Sequence, residues 1–378
     1  MNKLINILIS NRTFNIILII LLTLFYYKLN FEQFVPISGD ELNSILVYSS
    51  NIKTLFLKNF PGNVTFLHLF GYINSFVFGY NLLSYRTIIF IFFLLHLLIL
   101  KKLNYSITEI IIFVSLLIIT KFSLYIGLYR GYLFSSFIFV LIFFLINSND
   151  EKKNNKLILF LLFVQFYNHL VNIYLVLPIL FSLFIYSEKK KFLKDSLFWF
   201  IFPTIIFYGF SIILTGIAEN KISDTNLVSV FFFFLENFIQ ILASGFNRIF
   251  FYEAYSNSLS LNIKELTINF FQYDKIFFLI FLLAIIVTLF NLKNRKTNIV
   301  FSLIIVAHVF CFFIIDKQPA PRIFTGFYCF YILIIFDYLK NNKFVSKIIN
   351  LPPTKFSLLI ILLILVIKFN YMEVIKST

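Results

Sequence analysis

Apolar runs recur along this chain from one end to the other, each closed by a short polar joint, and this pattern limits the fold more than any motif does. The run Arg86 to Leu100 shows the type: between Arg86 and the pair Lys101-Lys102 the only polar side chains are Thr87 and His96. A helix that is apolar on every face suits either the middle of a large protein or a bilayer. With 60% hydrophobic and only 13% charged residues over 378 positions, the chain lacks the polar side chains to coat a water-soluble globule of its size. The expectation is an all-α integral membrane protein, with one polytopic membrane domain spanning 1–378.

The polar joints alternate between Lys-rich and Lys-poor, which sets a topology when the runs are taken as spans of about 17–25 residues. Lys3 and Arg12 precede Thr13 to Leu29, so the amino terminus is expected in the cytoplasm. The start lacks a small-residue cleavage site, so Thr13 to Leu29 reads as a retained span. Lys101-Lys102 marks the next return, which makes 30–85 one long external loop. Within that loop, Leu42 to Phe60 and Val64 to Phe78 are apolar but interrupted by Asn, Ser, Lys, His and Gly, as amphipathic interfacial helices are. The runs Glu109–Phe122, Leu133–Ile146, Leu157–Tyr167, Ile173–Tyr186 and Leu197–Thr215 continue the alternation. A second long external segment covers 217–274. Ile276–Leu292, Ile299–Ile315, Ile323–Tyr338 and Phe356–Phe369 follow, for about eleven transmembrane helices and an external carboxyl end.

The net charge of +15 is distributed by side. Lysines gather at the joints expected in the cytoplasm, where a positive charge near anionic lipid suffices. Of the six arginines, Arg86, Arg130, Arg248 and Arg322 fall on the external side. Lipid anchoring by long cationic stems is one use for them. A second is recognition of phosphate, because the planar guanidinium fork holds phosphate oxygens in pairs.

The same face carries Asp40 and Glu41, just beyond the first run. As a cap, Asp40 would start the helix after it and Glu41 would complement the helix dipole. As chemistry, the pair supplies a general base, and Gly39 before it allows close approach of the backbone. Of the histidines, His96 and His308 lie inside apolar runs and read as core residues, whereas His68 and His169 lie where they could reach the carboxylates. No histidine spacing matches a zinc motif, although a divalent cation held by Asp40, Glu41 and a diphosphate would leave none. Cys311 and Cys329 both sit in apolar runs and imply neither disulfide nor metal.

A first span, then Gly39-Asp-Glu41, then Pro61-Gly-Asn-Val-Thr-Phe-Leu-His-Leu-Phe-Gly-Tyr-Ile-Asn-Ser-Phe-Val-Phe-Gly79, then Asn81-Leu-Leu-Ser-Tyr-Arg86 resembles the amino-terminal half of the GT-C superfamily of membrane glycosyltransferases. That family includes protein mannosyltransferases and the aminoarabinose transferase of lipid A. The resemblance implies a base at Asp40 with Glu41 as its supporting acid, and a donor-phosphate role for Arg86. Tyr125-Ile-Gly-Leu-Tyr-Arg-Gly-Tyr132 resembles the family's Arg-x-Tyr stretch and adds Arg130; Pro321-Arg322-Ile-Phe adds Arg322. This chain has Pro61-Gly-Asn where the family usually has Pro-Pro or His-Pro.

The implied activity is an inverting hexosyl transfer from a polyprenyl-phosphate sugar to a glycan, lipid or protein acceptor on the external face of the cell membrane. No cofactor is required, no Gly-rich phosphate loop is present and no nucleic acid is involved. A flippase or transporter of lipid-linked saccharide, or a polymerase of surface polysaccharide, is the alternative. Against transport, the chain shows no paired halves with matching interrupted helices.

Overall fold

The computed structural model describes residues 16–23, 41–42, 44–48, 65–119, 129, 131–147, 151–168, 172–207, 209, 229–232, 235–236, 275–290, 325–341, 351, 357, 360–361 and 363–364. Asp40, Arg130, His169 and Arg322 lie outside them, as do Ile299–Ile315 and most of the second long segment at 217–274.

Every element among the described residues is helical. After a π-helical turn at Ser44–Tyr48 come α1 (Thr65–Phe78), α2 (Leu82–Lys102), α3 (Ile107–Ile119), α4 (Tyr132–Asn147), α5 (Glu151–Asn168) and α6 (Ile173–Tyr186). They are followed by α7 (Lys189–Ser196), which runs on into a π-helical turn at Leu197–Ile201, then α8 (Lys275–Phe290) and α9 (Thr325–Asn341).

The α1–α2 corner is fixed by local chemistry. Gly79 has φ +75°, the left-handed conformation that ends a helix at little cost when no Cβ is present, and its N–H returns to the Ser75 carbonyl. Asn81 then caps α2, its Oδ1 accepting from Ser84 N–H at 2.7 Å while its amide donates back to the Phe78 carbonyl. Asn74 of α1 donates to Ser84 of α2 and closes the hairpin. At the far end of α2, Asn104 takes φ +60° in the turn, which Asn tolerates better than most residues. Ser106 and Glu109 then form a reciprocal capping box that starts α3.

Helix α4 is the hub, packed against α2, α5 and α9, while α9 also packs on α3 and α8. The Tyr328 hydroxyl donates to the Leu116 carbonyl and ties α9 to α3. What faces outward is as apolar as what faces inward: along α2, Ile91, Leu94, Leu95 and Leu98 form an exposed stripe, 47% and 59% accessible at its two ends. In water that stripe would be polar; against lipid chains it carries no penalty. Ser84–Lys102 is the one helix among the described residues long and apolar enough to cross a membrane, and α1, α3, α4, α6, α8 and α9 each contribute a shorter apolar stretch.

The segment Glu188–Lys194, read from sequence as a polar joint, is largely helical. Phe192 is buried against Phe184 of α6 while Lys189, Lys190, Lys191 and Lys194 are exposed, so one apolar anchor on a basic face is enough to fold it.

Candidate active site

Among the described residues two charged side chains are wholly enclosed: Glu41 and Arg86 are each 0% exposed. Isolated charges are not tolerated there, and the geometry supplies the compensation. Arg86 donates from Nε to Glu41 Oε1 at 3.0 Å and from Nη2 to Oε2 at 2.8 Å, the paired fork that guanidinium and carboxylate geometry favour. The backbone N–H of Tyr129 donates to Glu41 Oε1 at 2.9 Å. Both oxygens of Glu41 are therefore occupied by donors from residues 45 and 88 positions further along the chain.

Each donor is held by its own element. Arg86 lies one turn into α2, whose start is fixed by the Asn81 cap and by Asn74 on Ser84. Tyr129 is held through its side chain. Its hydroxyl donates to the Leu67 carbonyl of α1 at 2.8 Å, and its ring lies 5.0 Å from that of Tyr85 and 5.8 Å from that of His68, centre to centre. The position is open because residue 71 is glycine. A methyl group there would overlap the Tyr129 hydroxyl oxygen and fall 2.8 Å from its Cζ. In a helix, residue 71 stands one turn after residue 67, so the missing side chain also exposes the carbonyl that the phenol uses.

His68 is buried, and burial pushes its imidazole down to about 3, so it is neutral at physiological pH. The structure brings together three residues singled out by sequence: Glu41 and Arg86 in direct contact, and His68 one side chain away, on the ring of Tyr129. The fork that the sequence suggested for a phosphate is closed on Glu41. Among the described residues no three His, Cys, Asp or Glu side chains come together.

Sequence reasoning missed Tyr129 and Gly71. It also missed a buried polar knot where α4, α5 and α6 meet. Asn172 donates to Gln165 Oε1, to the Gln165 carbonyl and to Ser135 Oγ, Gln165 donates to the Ser135 carbonyl, and Asn168 donates to Ser135 Oγ. The signal available in the sequence was Gln165, Asn168 and Asn172 at three- and four-residue spacing beside long apolar runs, one helical face of amides with no water to meet. The knot stands near the acid site, since Phe66 of α1, the residue just before Leu67 and His68, packs edge-on to Tyr167 of α5.

Comparison with protein-family models, with curated proteins and with solved structures gives no match.

Proposed function

We propose that this chain is a membrane glycosyltransferase of GT-C type, which moves a sugar from a polyprenyl-phosphate donor to a glycan, lipid or protein acceptor at the external face. In this reading the chain crosses the bilayer about eleven times. Asp40 is the base. The acceptor hydroxyl gives its proton to the Asp40 carboxylate as its oxygen attacks the anomeric carbon; the bond from that carbon to the phosphate oxygen breaks, and the electron pair leaves with the lipid phosphate. Attack opposite the leaving group inverts the anomeric centre. Arg130 and Arg322 are assigned to the phosphate, where a fixed charge stabilises the leaving group.

The observation that supports this reading is the environment of Glu41. The residue next to Asp40 is locked by an arginine fork and a backbone N–H contributed by two distant segments, an arrangement suited to holding a neighbouring side chain at one place. Capping a helix needs no such anchor.

The test is transfer of radiolabelled sugar from polyprenyl-phosphate donors to endogenous acceptors in membranes with and without the chain. Transfer that requires the chain and collapses in Asp40→Asn at equal protein level is the expected result. Unchanged transfer in Asp40→Asn removes the assignment. An outside-only reporter fused after Thr378 tests the span count and the side: activity is expected, and silence at normal expression contradicts the topology.

A further inference from the structure

We propose that the outward face of α7 and the turn after it form a binding site for one anionic phospholipid, with its phosphate on Lys190, Lys191 and Lys194 and its acyl chains along Leu197 and Phe198. The site rests on the membrane reading of the chain and is independent of the transferase activity.

The face is fixed by what α7 buries. Phe192 and Ser196, one turn apart, are its buried residues, and the Phe192 ring packs 5.8 Å from that of Phe184 in α6, centre to centre. Asn155 of α5 donates to Ser187 Oγ at 3.2 Å and ties the turn before α7 to a second helix. The helix therefore cannot roll its lysines inward. Lys189 is turned back over the Phe184 ring, 5.9 Å from its centre, which leaves Lys190, Lys191 and Lys194 exposed on the other side. Glu188 and Asp195, seven residues apart, share a different face from Lys190 and Lys194.

Left alone, these three lysines oppose the helix they stand on. Lys190 and Lys194 are four residues apart and Lys191 and Lys194 three, so like charges meet as neighbours on one face. Lys190 and Lys191 also lie in the first turn, which holds no acidic residue and where the helix dipole disfavours cations. An anion between the three ammonium groups removes both penalties.

The rest of the stripe says what carries the anion. The helical chain runs on from Ser196 without a break, and Leu197 and Phe198, three and four residues after Lys194, are both exposed. Three lysines followed on the same face by exposed apolar side chains match a molecule with a charged head and a hydrocarbon tail. At about 1.5 Å per residue, Lys194 stands about 4.5 Å and Lys190 about 10 Å before Leu197 along the axis. The headgroup layer on each side of the hydrocarbon is about 5–8 Å thick, so flexible lysine stems reach phosphate at that level. Trp199, half-buried beside the stripe, is a residue type favoured at the same boundary.

Trp199 is the only tryptophan in the chain and reports on the site directly. The full chain is placed in bilayers of phosphatidylcholine and phosphatidylglycerol, with bromine on the acyl chains of one lipid or the other, and quenching of Trp199 is compared at equal mole fraction. Brominated phosphatidylglycerol should quench more, and added salt should narrow the difference. Each of Lys190→Gln, Lys191→Gln and Lys194→Gln should lower the preference by up to about fivefold, the effect of one basic side chain at an anionic surface, and the triple variant should abolish it. Lys189→Gln should keep the preference. Lys190→Glu with Lys194→Glu should reverse it, which serves as the reading if the triple variant does not insert. Glycerol phosphate in solution, which has the head without the chains, should not compete at matched ionic strength.

Equal quenching by the two lipids in the parent, or a preference that the triple and reversed variants both keep, overturns the site while leaving the helix in the membrane. Loss of the preference on adding glycerol phosphate makes it a site for soluble phosphate and overturns the lipid. Quenching by neither lipid removes the membrane placement of this helix and the proposal with it.

Discussion

Glu41 and Arg86 stand 45 residues apart in the chain and meet as a two-pronged ion pair with both side chains fully enclosed. The pair joins the segment that carries the acids to the second turn of α2, and nothing in either local sequence specifies it.

Removing one partner strands the other as a buried charge, which costs about 3–5 kcal/mol. Arg86→Met and Glu41→Leu should each lower the thermal midpoint in detergent sharply. The double variant should recover much of the loss, since replacing both charges by apolar groups is often near neutral. Arg86→Lys keeps the charge but gives up the fork, and falls between. Additive losses in the double variant would show that the two side chains do not act as a pair.

What the sequence made legible follows from the range of the interactions involved. Helix lengths depend on runs of apolar residues, and the expected Ile173–Tyr186 and Val64–Phe78 meet the observed Ile173–Tyr186 and Thr65–Phe78 almost residue for residue. Helix α5 starts earlier than the run Leu157–Tyr167 because Glu151, Lys152 and Lys153 are good helix formers and an acidic residue favours a first turn. The candidate site was legible only as residue types. Asp-Glu, an arginine and a histidine announced themselves, but one of the donors to Glu41 is a backbone N–H 88 residues away, and a backbone donor leaves no mark in composition. Gly71 was invisible for a related reason: a glycine in an apolar helix looks like a weak helix position until the phenol that needs its space is known.

The polar knot of α4, α5 and α6 should be costly to disturb. Asn172→Ala withdraws the amide that reaches Gln165 Oε1, the Gln165 carbonyl and Ser135 Oγ, and strands buried acceptors. A loss of about 1–3 kcal/mol is expected. Ser182→Ala, which gives up only a bond from its hydroxyl to the Pro178 carbonyl of its own helix, should cost less than 1 kcal/mol, roughly the net worth of one ordinary hydrogen bond. Chemical or thermal unfolding of the two variants side by side gives the comparison, and equal losses would mean that the knot does not join the helices.

His68 gives the fold a pH dependence with a definite sign. Its folded value, about 3, lies below the ordinary 6.5, so between the two the unfolded chain binds a proton that the folded chain refuses. Stability from this group is complete above about pH 6.5 and is lost as pH falls from there toward 3. The fall in thermal midpoint between pH 7 and pH 4.5 should be smaller in His68→Phe, which keeps a ring against Tyr129 and cannot be protonated. Parallel falls in the two proteins would assign the acid sensitivity to other groups.

Asp40 and Glu41 differ by one position and, in the proposed mechanism, by role, and the structure gives a way to separate them. Both oxygens of Glu41 already accept from Arg86 and Tyr129, so a proton taken there would displace a donor from a buried charged pair. Glu41 is thus a poor stand-in for a lost base. Asp40→Asn should keep the fold, because Asn caps a helix about as well as Asp, and lose about 100- to 10,000-fold in turnover, the usual worth of a general base. Glu41→Gln should do the opposite in kind: a lower thermal midpoint, with turnover in the surviving folded fraction reduced far less than in Asp40→Asn. The double variant should then turn over no more slowly than Asp40→Asn within error once corrected for folded protein, since Glu41 contributes no second base. Measuring midpoint and turnover on the same preparations decides it: residual turnover in Asp40→Asn that disappears when Glu41→Gln is added would make Glu41 the acting base and reverse the assignment.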